Sequence, residues 1–128
     1  MANPNTYEML ATRPGRVAQH LQFTVGSAGA VGTVTGGQEV KSVTGPANTS
    51  DYTVNLNEAW ERVENIQVWF VGAVDATKGQ YAKVITDNTG STSTPGFTFT
   101  VQRPDTGAAA LPATGDVMHV TFDLAYLP

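Results

Sequence analysis

Asp105-Thr106-Gly107, followed by Ala108, spells the tripeptide on which aspartic proteases build their catalytic pair. In those enzymes two carboxylates share one proton and activate a water molecule. That chemistry needs a buried aspartate delivered by an apolar strand, but here Gln102-Arg103-Pro104 comes before it and the stretch after it is too short for half an enzyme. Pro-Asp-Thr-Gly is equally the chemistry of a turn, and a turn is what it predicts. Glu58, Glu61 and Glu64 lie three apart. On a helix they would share a face, where paired carboxylates can exchange protons or hold a cation, although a solvated face is the expected outcome. His20 and His119 are the only two histidines. Neither has the serine-and-acid or metal-ligand spacing that would arm it, and spacing alone does not say how near they come.

The remaining motifs resolve in the same direction. The run 26–32, Gly-Ser-Ala-Gly-Ala-Val-Gly, follows a strand but lacks the lysine of a phosphate loop and the helix of a dinucleotide site, so it predicts a turn. Asn48-Thr49-Ser50 matches a glycosylation acceptor, which matters only in a secreted chain. Trp60 and Trp69 are the two tryptophans. Trp69 sits in the most apolar stretch, which predicts core packing or a subunit contact; Trp60 would cap one end of the fold. An exposed platform of Trp60, Tyr81 or Tyr126 is what stacking on a sugar would require. The sequence therefore predicts no catalytic residue, no cofactor and no metal site.

The elements that position these residues are strands. Leu21, Phe23 and Val25 alternate with polar residues, as do Tyr52, Val54 and Leu56, then Phe97, Phe99 and Val101, then Met118, Val120, Phe122 and Leu124. A period of two puts each apolar set on one side of a strand. The last two runs are expected to pair with each other as an antiparallel unit, leaving Thr98, Thr100, Gln102, His119, Thr121 and Asp123 on an outer, nearly uncharged face. Gly36-Gly37 between residues 31–35 and 38–44 predicts a two-residue hairpin. Asn57 is expected to cap a short helix from Glu58 to about Val63. Residues 66–74, apolar apart from Gln67 on both sides, predict a central strand covered on both faces, with Gly72 marking a bulge or a close backbone approach. A further strand is expected over 81–86. About eight short strands with turns every eight to twelve residues predict an all-β, single-domain antiparallel β-sandwich, jelly-roll or Ig-like, over residues 17–128. Residues 1–16 predict a flexible N-terminal arm, either a frayed terminus or, given the apolar Tyr7, Met9 and Leu10, an arm that orders on a partner.

Composition narrows the partners. At 128 residues the chain can bury one core unaided, and without cysteine it has neither disulfides nor thiolate metal sites. Its charged fraction is 14 % and its net charge −4, with the seven lysines and arginines scattered, which argues against nucleic acid. No apolar run approaches the roughly 18 residues of a membrane span, and residues 1–8 lack the basic start and apolar run of a secretory signal. The loop 103–115, with Arg103, Asp105 and Leu111, is longer than a hairpin needs, and loops of that length are uncommon unless they bind something or are disordered. The arm and this loop are the candidate partner contacts.

The run 36–56 carries a glycine pair, a Ser42-Val43-Thr44 strand, a turn and then Asp51-Tyr52-Thr53-Val54-Asn55-Leu56. With the long Ala/Pro/Asp/Gly loop running into Asp116-Val-Met-His-Val-Thr-Phe, it resembles small structural virion proteins of tailed bacteriophages, the capsid-decoration or cement type. The resemblance implies a non-enzymatic protein made in the host cytoplasm and carried on the capsid surface. It would bind the major capsid protein or other virion proteins and stabilise the head. Self-association is expected from the uncharged face, a trimer being one closed form. A carbohydrate- or receptor-binding role, or a structural one, in a tail or fibre is the alternative.

Overall fold

Alternation along each strand sorts the chain into two layers. The computed structural model describes residues 15–72 and 81–126, so Tyr7, Met9 and Leu10 of the arm lie outside the described residues. Eight strands run through these: β1 (Arg16–Thr24), β2 (Thr35–Gly36), β3 (Val40–Ala47), β4 (Asp51–Leu56), β5 (Arg62–Val71), β6 (Tyr81–Asn88), β7 (Gly96–Gln102) and β8 (Val117–Ala125). They form two four-stranded sheets in the orders β2-β1-β8-β5 and β3-β4-β7-β6, with antiparallel pairings throughout. The protein is an all-β sandwich.

The apolar sets meet between the sheets. Leu21, Tyr52, Val54, Phe99, Val101 and Val120 are fully buried. Phe23 packs on Tyr52 with ring centroids 6.1 Å apart, and Phe97 meets Phe122 edge-on at 4.9 Å. Each such ring removed from water contributes about 1.5–3 kcal/mol, so these rows hold the layers together.

The strand order has a recognisable logic. An immunoglobulin sandwich places strands A-B-E-D in one sheet and C-F-G in the other. Here β3-β4-β7-β6 match the first set and β5-β8-β1 the second. The order is that of an immunoglobulin sandwich whose last strand has moved to the front of the chain, with the two-residue β2 added at an edge.

Several expectations change. The runs of Phe97 and Met118 do not pair: β7 lies between β4 and β6, and β8 between β1 and β5. Two strongly apolar faces are better buried against each other across the layers than side by side, and residues 103–116 carry the chain over. Gly36-Gly37 is likewise no hairpin. Thr35 and Gly36 pair with Gln22 and Leu21 of β1, while β3 joins the other sheet. The glycines, at φ +81° and +70°, turn the chain from one layer to the next.

No helix follows Asn57. Residues 57–61 are irregular and β5 begins at Arg62; the one helical turn among the described residues is the 3-10 turn Ser27–Gly29. Strand β5 is also an edge, not a covered centre. Val68 and Phe70 turn inward, whereas Trp69 and Val71 are 42 % and 57 % exposed. Gly72 does mark a close approach, because a methyl group there would collide with the Asp116 carboxylate.

Candidate interaction face

The outer face of the first sheet is built by register across β1, β8 and β5. Three cross-strand rows run Thr24–Val117–Val71, Gln22–His119–Trp69 and His20–Thr121–Gln67. Two more, Ala18–Asp123–Glu64 and Arg16–Ala125–Arg62, complete it. Between Glu64 and Gln67 the ladder slips by a bulge, where Asn65 takes φ +53°. Asparagine tolerates that left-handed conformation, and the bulge re-aims the strand beyond it.

The face divides into a charged end and an uncharged end. At the charged end Glu64 accepts from Arg16 Nε at 2.5 Å and from Arg62 Nε at 2.7 Å. Those two hydrogen bonds hold its carboxyl below the usual range. Asn65 Nδ2 donates to Asp123 Oδ2 at 3.0 Å. The other end carries glutamine, threonine, valine, histidine and the indole.

Three rings converge there. His20 Nε2 and His119 Nδ1 share a hydrogen bond of 3.0 Å. Their centroids stand 5.2 Å apart with planes 17° from parallel, the spacing of imidazoles meeting edge to edge. The indole of Trp69 is 5.0 Å from His119 at 4° and 5.6 Å from His20 at 17°. Edge contact would keep an indole farther away, so Trp69 overlies the imidazole pair. Burial, and secondly the neighbouring His20, push His119 below the ordinary histidine value. The arrangement can hold a proton between two rings beneath an aromatic face.

The residues singled out by the sequence are placed differently. Asp105 is exposed and clasped by Arg103, whose Nε and Nη2 donate at 3.0 and 2.7 Å. A proton-sharing dyad needs a buried carboxylate facing its twin, so the tripeptide is a turn. Leu111 lies at the root of the same loop beside Gly29, away from the tip. Glu58, Glu61 and Glu64 share no helix face, and Glu64 is spent on the two arginines. In the glycosylation-like triplet Ser50 is buried, its hydroxyl 2.9 Å from that of Thr100.

The aromatic platform that stacking on a sugar would require does not form. Trp60 is 5 % exposed and covered by Tyr126 at 4.9 Å. Its backbone N–H reaches Thr89 beyond the end of β6, whereas Tyr81 starts that strand. Trp69, expected in core packing or at a subunit contact, is the tryptophan that faces out, so the core half of that expectation fails. Its partners His20 and His119 are ninety-nine residues apart, and no local pattern links them. Among the described residues no group of three or more His, Cys, Asp and Glu could hold a metal ion, and no helix is long and apolar enough to cross a membrane. Comparison with protein-family models, curated proteins and solved structures finds no match for this chain.

Proposed function

We propose that this protein is a non-enzymatic structural component of a tailed-phage virion, a decoration protein that seats on the major capsid protein and stabilises the head. The observation that carries the reading is the uncharged end of the first sheet. There a half-exposed indole and Val71 stand on an edge strand among glutamine and threonine. Tryptophan is enriched where proteins meet because it offers a large rigid contact with little entropy to lose. The virion-like runs at 36–56 and 116–122 add the class of partner. The Arg103–Asp105 tip and Leu111 remain secondary contacts, and self-association into a closed ring would repeat the contact around a capsid axis.

Mass spectrometry and immunogold labelling of purified virions test this. The protein is expected on the head, in fixed proportion to the major capsid protein, and Trp69→Ser is expected to be lost from particles while remaining folded. Absence from particles overturns the reading. Label confined to the tail tip moves the protein to the receptor-binding alternative.

A further inference from the structure

We propose that docking through this face is gated by protons held between His20 and His119, with Trp69 as the element that moves; this rests on the docking reading above. A hydrogen bond between two imidazoles requires one donor nitrogen and one acceptor. With both rings neutral the bond is made. With one proton added it is still made, now charge-assisted, and the cation lies against the indole. A second proton leaves two N–H donors facing each other 3.0 Å apart. That contact has no acceptor and carries two like charges, so the rings must part. The indole stacked on both loses its bed.

The surroundings decide how many protons the pair accepts. From β8, Asp123 stands one row from His20. Arg16 of β1 and Arg62 of β5 lie farther down the face, and both bind Glu64. Asp116 is buried ahead of β8, against Gly72. The two residues of β2, Thr35 and Gly36, bring no charge. One carboxylate therefore stands near a pair that would carry two charges, and the second proton is the destabilising one.

Two measurements on the full chain test this separately. In an NMR titration of the isolated protein, the pair should titrate in two coupled steps at least about one pH unit apart. The Trp69 indole N–H should shift with the second, more acidic step. His20→Gln should return His119 to a single step; His119→Gln should do the same for His20. Independent single-step titration of both rings in the unaltered protein, or a motionless Trp69, overturns the switch. The second measurement sediments the protein with heads of its phage purified free of it. Binding should fall about tenfold for each pH unit below the second step, because the docked form excludes that proton. In His20→Gln, whatever its affinity at neutral pH, the ratio of binding at neutral pH to binding below that step should approach one. Retention that ignores pH while the titration is coupled overturns the gating alone. No sedimentation at any pH overturns both gating and docking, with the titration still reporting on the ring pair itself.

Discussion

The Tyr52 hydroxyl donates a 2.6 Å hydrogen bond to the carbonyl of Gly29. It ties the start of β4 in one sheet to the 3-10 turn that follows β1 in the other. Gly29 suits this position because it sits at φ +77° and because a methyl group there would press on the same hydroxyl and on Leu111. Tyr52→Phe keeps the ring but strands a buried carbonyl, and should destabilise the fold by about 1–3 kcal/mol in urea unfolding. Burial also raises the Tyr52 hydroxyl to about 12 from 10.0. Between those values the unfolded chain has lost the proton and the folded one keeps it, so stability should fall as pH rises through that window. In Tyr52→Phe that part of the alkaline slope should vanish. An unchanged slope would show the phenol to be already ionisable in the fold.

Phe122 and Phe97 meet across the sheets at 71°. Phe122→Ala should lower stability by about 3–5 kcal/mol, the range for emptying a buried aromatic site. Chemical denaturation followed by circular dichroism reads it directly. A loss under about 1 kcal/mol would mean that the layers collapse to fill the space.

Gly96 opens β7 opposite Asn55, and an added methyl group would collide with the Val54 carbonyl. That obstacle is backbone in the adjacent strand, so it cannot swing aside. Gly96→Ala should cost about 1–3 kcal/mol from overpacking alone. Thermal unfolding of the variant checks this, and an unchanged midpoint would contradict the close approach.

His119 is held below its ordinary value by burial and by His20. The unfolded chain therefore binds its proton first as the solution is acidified. The stabilising contribution is whole above the unfolded value near 6.5 and is lost as pH falls through the lower folded value. Unfolding midpoints across this window should decline more steeply for the unaltered protein than for His119→Gln. Parallel curves would remove His119 from the acid response.

Asp105 sits in the open beside Arg103. An exposed pair of near neighbours adds little to a fold. Asp105→Ala should leave the unfolding midpoint where it was while removing the ion pair from the loop tip. A clear drop would mean that the pair organises residues 103–108, which fold back through the bond from Arg103 N–H to the Ala108 carbonyl.

The inward residues were legible without coordinates. Leu21 and Phe23, Tyr52 and Val54, Phe97 and Phe99, Met118 and Val120 all alternate in sequence and all are buried, because the side a residue takes in a strand depends only on its near neighbours. Partnership is another matter. Nothing local told β7 to pair with β4 and β6 rather than with β8, since that choice follows from which apolar faces close on each other across the sandwich. The same limit hid the outer face. Trp69 lies in an apolar run whether its strand is central or an edge, and only the sheet order makes it an edge. His20 and His119 are ordinary polar positions of two separate strands. The antiparallel register of β1 with β8 pairs His20 with Thr121 and Gln22 with His119, which sets the histidines diagonally and brings their nitrogens within a hydrogen bond. Alternation is a property of one strand, but register is a property of two, and the ring cluster on this face exists only through register.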